Sequence, residues 1–234
     1  NNVSFTLNKG ERLGLVGESG CGKSTLTRAL LGLEEIQEGE IRVSGGVVSK
    51  NNETSFASKK NMQVVFQDPF GSFNPRHKVS KLISEPLFLD KKIMNKEELN
   101  DLLINTLISV GLSADDKNKY IHEFSGGQRQ RIAIARALIV KPEIIIFDEA
   151  VSALDVSVRA QILDLLANLC KTLNLTYIFI SHDLSVVRTI TDKVMVMKDG
   201  EIVESGKTEN ILTNPTHNYT KKLIEAAPSL PEFC

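Results

Sequence analysis

The stretch Gly17-Glu-Ser-Gly-Cys-Gly-Lys-Ser24 decides the fold of this 234-residue chain. A short apolar run over residues 12–16 precedes it, and a helical pattern over residues 24–31 follows it. Glycines let the backbone curl so that successive N–H groups face one phosphate, and the start of a helix adds a positive dipole end. Gly-x-x-x-x-Gly-Lys-Ser between a strand and a helix therefore predicts a loop that binds a nucleoside triphosphate. The alternative, a glycine-rich turn without a ligand, is disfavoured by the placement of the lysine and serine.

This phosphate loop (residues 17–25) supplies the predicted nucleotide contacts. Lys23 is expected to bridge the β- and γ-phosphates, and the Ser24 hydroxyl is expected to bind Mg²⁺. Cys21 has two interpretations, a small filler or a thiol made reactive by the nearby helix start. The predicted contacts are Gly17, Glu18, Ser19, Gly20, Cys21, Gly22, Lys23, Ser24 and Thr25.

A pair of carboxylates, Asp148 and Glu149, follows the continuously apolar run of residues 144–147, which is typical of a buried parallel strand. Asp148 is the predicted Mg²⁺ partner. Glu149 is the predicted general base that polarises an attacking water. A helix cap with a surface acid is the alternative, and the phosphate loop upstream makes it the weaker one.

Two polar side chains follow other predicted strands. Gln67 comes after the strand of residues 62–66, and its amide oxygen can bind Mg²⁺ and release it; the alternative is a loop glutamine bonded to backbone. His182 follows the strand of residues 175–180. A lone histidine is usually structural, but the carboxyl end of a strand is where α/β sheets bind ligands, and this favours a functional role.

A second glycine-led element, Phe124-Ser-Gly-Gly-Gln-Arg-Gln-Arg131, also opens a helix. Its free N–H groups and positive dipole end can bind phosphate as well. One active site rarely needs two such elements from one chain, so we expect two copies that face each other and complete each other's sites. Ser152-Ala-Leu-Asp155 has two interpretations, a helix cap through Asp155 or a contact with that facing copy.

Strand and helix patterns alternate along the chain, which predicts an α/β fold around a P-loop core. We predict a core over residues 1–69 and 136–234, an antiparallel β subdomain, and a helical insertion at about 70–135. Val3, Phe5 and Leu7 alternate with polar residues and predict a first strand. Residues 47–62 predict a hairpin or loop, and residues 193–197 and 201–204 predict paired strands around Lys198-Asp-Gly200.

Composition narrows the function further. The formal charge of −1 provides no general basic field for nucleic acid. The longest apolar runs are too short to span a bilayer, and no signal peptide is visible. The three cysteines have neither metal nor disulfide spacing, which fits a reducing compartment. Because the chain opens at Asn1 directly on a strand-like pattern, we expect it to be a segment of a longer protein.

Taken in order, these elements resemble those of ATP-binding-cassette (ABC) ATPases, the nucleotide-binding subunits of transporters. The resemblance covers essentially the whole chain, as one domain over residues 1–234. It implies a head-to-tail dimer that holds two ATP molecules with Mg²⁺, transmembrane permease subunits, an extracytoplasmic solute-binding protein, and a place on the cytoplasmic face of the membrane. It implies catalytic roles for Glu149, His182, Gln67 and Lys23, and metal contacts from Ser24, Gln67 and Asp148. It also implies that the ATP of the partner protomer is bound by Ser125, Gly126, Gly127, Gln128 and Asp155.

A finer resemblance is to the peptide and nickel importers. Gln67-Asp-Pro-Phe-Gly-Ser-Phe-Asn-Pro-Arg76 is similar to the Gln-Asp-Pro-x-x-Ser-Leu-Asn-Pro-Arg of that branch, with Phe73 in place of leucine. Pro215-Thr-His-Asn-Tyr-Thr220 resembles its Pro-x-His-Pro-Tyr-Thr, with Asn218 in place of proline. The transported solute stays open among peptides, nickel and metal–chelator complexes. In this family the aromatic residue that stacks on adenine precedes the first strand, so we expect this chain to bind nucleotide more weakly than its parent.

Two other functions compete with this one. A soluble ABC ATPase that acts on DNA or ribosomes usually carries two cassettes or a long coiled-coil insertion, and residues 70–135 are too short for either. A P-loop kinase for small molecules would lack the Ser-Gly-Gly-Gln segment and His182.

Overall fold

A computed structural model describes residues 2–50, 53–54, 61–68, 71–89 and 95–226 of the chain. Its main sheet has six strands in the order β5-β6-β7-β1-β8-β9. All neighbours pair in parallel except β8 and β9, which are antiparallel. The strands are β1 (Arg12–Val16), β5 (Met62–Phe66), β6 (Ile144–Asp148), β7 (Tyr177–Ile180), β8 (Lys193–Lys198) and β9 (Glu201–Lys207).

A smaller antiparallel sheet lies between β1 and β5 in sequence, with the order β2-β3-β4. Its strands are β2 (Ile41–Val43), β3 (Gly46–Lys50) and β4 (Glu53–Thr54). Together with the parallel sheet, it confirms the predicted α/β fold with an antiparallel β part. Of the predicted hairpin or loop at residues 47–62, β3 and β4 pair as a hairpin, and residues 51–52 and 55–60 lie outside the described residues.

The predicted first strand is wrong. Residues 2–8 form no strand, although Val3, Phe5 and Leu7 are partly buried and pack against the apolar cluster on one side of the main sheet. Alternation of apolar and polar residues reports burial of one face, and it does not report a backbone partner.

Eight α-helices lie in the described residues, and those that begin after the phosphate loop, between residues 70 and 135 and after Asp155 lie where the sequence predicts them. Short 3₁₀ segments at residues 85–89, 114–118 and 121–123 lie among them. The helices are α1 (Lys23–Leu30), α2 (Val79–Ser84), α3 (Lys96–Ser109), α4 (Gly126–Leu138), α5 (Val156–Leu173), α6 (Leu184–Ile190), α7 (Thr208–Thr213) and α8 (Asn218–Glu225).

Local signals explain where the helices of the inserted segment begin and end. Helix α3 starts with a capping box, in which the Asn95 side chain accepts from the Glu98 N–H and the Glu98 carboxylate accepts from the Asn95 N–H. It ends before Gly111, whose φ of +74° is the left-handed conformation that closes many helices. Helix α4 runs past residue 135, and the division of the chain at residues 69 and 135 stays a prediction.

Two apolar clusters cover the two faces of the main sheet. Residues of one strand alternate between them: Phe147 belongs to the larger cluster, and its neighbour Ile146 belongs to the smaller one. Burial of both faces is the reason that β6 reads as a continuous apolar run. The core packed on both faces holds the strands in position, and the candidate site lies at the ends of these strands.

Candidate functional site

The carboxyl ends of four adjacent parallel strands bring the predicted site residues to one edge of the sheet. Phe66 of β5 is in register with Asp148 of β6, and Asp148 is in register with Ile180 of β7. Leu15 of β1 pairs with the same Ile180. Gln67, Glu149, His182 and the phosphate loop each follow one of these strand ends, so they share the edge that parallel sheets use for ligands.

The phosphate loop leads into helix α1 without a side-chain cap. Gly22 is the N-cap, with a φ of +111° that L side chains rarely adopt, and no side-chain hydrogen bond closes the helix start. The first N–H groups of a helix have no partner within the helix. They are therefore available to an anion, which is what the sequence pattern predicts.

The end of β8 and the turn that follows it contact the phosphate loop. A Cβ added to Gly17 would lie 2.3 Å from the carbonyl oxygen of Met197, so only glycine fits there. The Gly200 N–H donates to the Cys21 carbonyl at 2.9 Å. The loop therefore rests on the backbone of the chain's last third, which no local sequence pattern indicates.

Lys23 lies inside the loop rather than in solvent, with 6% of its surface exposed. Its Nζ donates to the Gly17 carbonyl at 2.7 Å and to the Glu18 carbonyl at 2.9 Å. The Cys21 Sγ lies 3.7 Å from the same Nζ and is buried, which favours the filler interpretation of Cys21. Ser24 and Thr25 are exposed at the start of α1.

The acidic pair has two different environments. Burial and the charge of Glu149 raise the pKa of the Asp148 carboxyl, and Lys23 and Arg28 partly oppose that rise. Glu149 adopts a left-handed backbone with a φ of +51°. Its N–H donates to the Ile180 carbonyl, and its own carbonyl accepts from the Ser152 N–H and hydroxyl. These bonds hold a backbone geometry that is uncommon for a residue with a side chain.

The structure brings His182 and Glu149 together, and Gln67 follows the neighbouring strand β5. The Nδ1 of His182 lies 3.6 Å from the Oε1 of Glu149. His182 and Gln67 are both exposed. Two residues that follow Gln67 in the sequence, Pro69 and Phe70, lie outside the described residues. Beyond them, Arg136 of α4 donates to the Ser72 carbonyl at 3.3 Å, which ties this connection to the helical segment.

The Ser-Gly-Gly-Gln segment opens helix α4 with a complete capping box. The Ser125 hydroxyl oxygen accepts from the Gln128 N–H at 3.4 Å, and the Gln128 side chain accepts from the Ser125 N–H at 3.0 Å. Gly126 is exposed, whereas a Cβ at Gly127 would lie 2.4 Å from the Val158 Cγ1. No described hydrogen bond or ion pair joins this segment to the phosphate loop.

Asp155 is the N-cap of helix α5. Its carboxylate accepts from the Val158 N–H at 2.9 Å and from the Ser157 hydroxyl at 2.9 Å. The bond from the Val158 N–H and that from Ser157 hold the pKa of Asp155 below its usual value. The capping interpretation is therefore confirmed, and the contact with a facing copy stays a prediction. Val158 touches both elements, because its N–H meets Asp155 and its side chain meets Gly127.

One contact with the phosphate loop comes from Tyr219, which the sequence patterns do not assign to the site. The Glu18 N–H donates to the Tyr219 hydroxyl at 3.0 Å. The resemblance to the Pro-x-His-Pro-Tyr-Thr segment marked this tyrosine but did not indicate where it lies. The separation of 201 residues explains why spacing cannot reveal the contact.

The donor set at this edge fits a triphosphate with a hard cation. Lys23 and uncapped N–H groups offer positive charge and donors, and a Cβ added at Gly20 would meet no atom within 4 Å. The Ser24 hydroxyl and the Asp148 carboxylate are oxygen ligands of the kind that Mg²⁺ prefers.

No helix in the described part of the chain combines the length and apolarity needed to cross a membrane.

Comparison with known families gives two matches. Residues 1–152 match the ABC transporter family, and residues 203–232 match the C-terminal region of oligopeptide/dipeptide transporters. The dipeptide transport ATP-binding protein DppF of Haemophilus influenzae is 50% identical, over 97% of this chain and 70% of that protein. The oligopeptide transport ATP-binding protein OppF of Bacillus subtilis is 48% identical, over 98% of this chain and 76% of that protein.

Solved structures agree with these matches. CbiO1 of Clostridium perfringens, part of the ABC transporter complex CbiONQ, has a TM-score of 0.80 at 27% identity, over 91% of this chain and 83% of that chain. The cassette MJ0796, in a dimeric post-hydrolysis state with ADP and Pi, has a TM-score of 0.74 at 28% identity, over 88% of this chain and 89% of that chain. The chain therefore belongs to the ABC transporter ATP-binding family, as an ATPase subunit whose C-terminal region is that of the oligopeptide/dipeptide transporters.

Proposed function

We propose that this chain hydrolyses ATP at the cytoplasmic face of the membrane to power peptide import through permease subunits. An extracytoplasmic solute-binding protein delivers the peptide to that complex. The names of the relatives and the match of residues 203–232 support this proposal. Those relatives are named for peptides, which favours a peptide over nickel or a metal complex as the cargo.

The observation that carries the proposal is the shared edge of β1, β6 and β7, where Lys23, the acidic pair and His182 meet. Lys23 donates to two loop carbonyls, those of Gly17 and Glu18. Phosphate oxygens are charged acceptors and form stronger bonds with an ammonium group than neutral carbonyls do. Lys23 therefore turns from the loop to the β- and γ-phosphates when ATP binds, while the loop N–H groups hold the β-phosphate.

The cation-binding residues in this proposal are Ser24, Asp148 and Gln67. When bound, Mg²⁺ neutralises charge on the β- and γ-phosphate oxygens. Asp148 suits this role because its carboxyl lies at the strand end beside Glu149; burial and that neighbouring charge raise its pKa, and the charge of a bound cation would oppose both effects. Gln67 is exposed at the end of the neighbouring strand, and its neutral amide can release the cation again.

Glu149 is the proposed general base, which accepts a proton from the attacking water. The bonds of its backbone to Ile180 and Ser152 hold the residue at the strand end. His182, with its Nδ1 at 3.6 Å from Glu149, orients the carboxylate and donates to a γ-phosphate oxygen.

Two copies in a head-to-tail dimer complete the proposed sites. The Ser125 hydroxyl, the N–H groups of Gly126 and Gly127, the Gln128 side chain and the Asp155 turn contact the ATP held by the facing copy. The exposed, preformed start of α4 supports this role, and so does the dimeric state of MJ0796. In this dimer, Gln67 and the helical segment of residues 70–135 transmit closure to the permease.

The substitution Glu149→Gln tests the proposal. We expect steady ATP hydrolysis to fall by roughly 100-fold or more, the scale of losing a general base, while ATP binding is retained. Phosphate release without an added acceptor is the measurement, and it also separates an ATPase from a kinase. Glu97→Gln, at an exposed position in the first turn of α3, is the matched control with unchanged hydrolysis. Unchanged turnover in Glu149→Gln would refute the base assignment.

A further inference from the structure

Tyr219 connects the C-terminal region directly to the backbone of the phosphate loop. Its hydroxyl accepts the Glu18 N–H at 3.0 Å, and only 9% of the residue is exposed. The ring packs against the larger apolar cluster, and the Lys198 Nζ lies 5.5 Å from the ring centroid. Because the ring is buried, the Tyr219 hydroxyl is held in place as the acceptor for the Glu18 N–H.

The position of Tyr219 depends on a chain of hydrogen bonds that starts in the main sheet. Glu204 of β9 accepts from the Thr216 N–H at 2.7 Å and from the His217 N–H at 3.2 Å. The His217 Nδ1 then accepts the Tyr219 N–H at 3.1 Å and caps helix α8. The tyrosine is therefore anchored to the sheet rather than to a free terminal helix.

Both ends of one loop peptide unit are tied. The Gly17 carbonyl and the Glu18 N–H belong to the same peptide group. Lys23 donates to that carbonyl at 2.7 Å, and Tyr219 accepts from that N–H at 3.0 Å. The two side chains together define the plane of this peptide group, and they come from opposite ends of the chain.

We propose that Tyr219 is a positioning residue for phosphate binding, which keeps the Gly17–Glu18 peptide group oriented when Lys23 leaves it. This inference rests on the proposed function, in which Lys23 turns to the phosphates. When that happens, the Gly17 carbonyl loses this donor, and the bond to Tyr219 is the remaining hydrogen bond on this group among the described residues. This planar group directly precedes the loop N–H groups assigned to the β-phosphate, and its rotation changes the ψ of Gly17 and the φ of Glu18, which set the path of the backbone into those groups.

Tyr219→Phe tests the inference, because it removes the hydroxyl and keeps the ring with its packing. We expect the affinity for ATP, measured by calorimetry, to fall by roughly 3- to 10-fold, the scale of one hydrogen bond. Inorganic tripolyphosphate, which has no base or sugar, is expected to lose affinity by the same factor. The KM for ATP rises accordingly, while kcat at saturating ATP changes by less than about 2-fold, the pattern of a lost binding interaction.

Tyr177→Phe is the matched control. The Tyr177 hydroxyl is also buried and donates to a backbone carbonyl, that of Ile190, but it lies at the amino end of β7, away from the loop. We expect it to leave the affinity for both ligands unchanged. Hydrogen exchange of the ligand-free proteins adds a direct measurement: the Glu18 amide exchanges faster in Tyr219→Phe and at the wild-type rate in Tyr177→Phe.

The outcomes separate this inference from the proposed function. Wild-type affinity for both ligands in Tyr219→Phe overturns the positioning role, and so does an equal loss in Tyr177→Phe, which would indicate general loosening. If the wild-type chain binds neither ATP nor tripolyphosphate, the proposed function fails, and the inference fails with it. Binding by the wild type with a selective loss in Tyr219→Phe supports both.

Discussion

Helix α1 begins at Gly22 with no side-chain cap, whereas helix α4 begins at Ser125 with a capping box made by its own residues. Both starts are led by glycine, and both were predicted to meet phosphate. The first leaves its N–H groups open and relies on distant residues for its shape. The second satisfies the N–H groups of Ser125 and Gln128 with its own side chains, and it exposes Ser125, Gly126 and Gln128. The uncapped start of α1 suits a phosphate bound by the same chain. The capped start of α4 suits contact with a ligand that is held outside this chain.

Within this comparison, the largest expected effect concerns the uncapped start of α1. Lys23→Ala removes the ammonium group that lies among the loop carbonyls, and we expect the affinity for ATP to fall by roughly 10- to 100-fold, the scale of a charged hydrogen bond. Isothermal titration calorimetry is the measurement. Arg28→Ala, an exposed cation in the last turn of the same helix, is the control with a much smaller change. Undiminished affinity in Lys23→Ala would contradict the claim that the start of α1 binds phosphate.

A smaller effect, on the free energy of unfolding, is expected at the start of α4. Gly127→Ala places a Cβ 2.4 Å from the Val158 Cγ1, and we expect the free energy of unfolding to fall by about 1–3 kcal/mol. Gly126→Ala, whose Cβ would lie 4.0 Å from Leu154, is the control, with a change of about 0.5 kcal/mol or less. Chemical denaturation measures both. The addition of Val158→Ala to Gly127→Ala recovers part of the loss if the clash is the cause.

The smallest expected effect, on the free energy of unfolding, tests the difference between the starts of α1 and α4. Ser125→Ala removes the cap of α4, and we expect the free energy of unfolding to fall by about 1 kcal/mol. ATP affinity of the single subunit is expected to stay unchanged, because Ser125 has no described bond to the phosphate loop. Weaker ATP binding by a monomeric preparation of this variant would contradict the separation of the two starts.

Features with a local cause were predictable from the sequence. The phosphate loop, the helix after it and the capping of α5 by Asp155 follow from residue type and short spacing. The shared edge of Gln67, Asp148 and His182 follows from one rule, that parallel strands end at the same side of a sheet.

Features with a distant cause were not predictable in this way. The support of Gly17 by Met197 and the contact of Glu18 with Tyr219 join residues 180 or more positions apart, and no local pattern carries that information. The failed first strand has a related cause. Val3, Phe5 and Leu7 bury one side as their alternation indicates, but pairing depends on the presence of a neighbouring strand edge.

Val158 meets Asp155 through its N–H and Gly127 through its methyl group, so the first turns of α4 and α5 are interlocked at one valine. A homologous segment that carries α4 fits this chain with Val158 unchanged only if it keeps glycine at 127. A donor with a bulkier residue than glycine at 127 requires a smaller one at 158. The residues at positions 127 and 158 therefore have to be exchanged together.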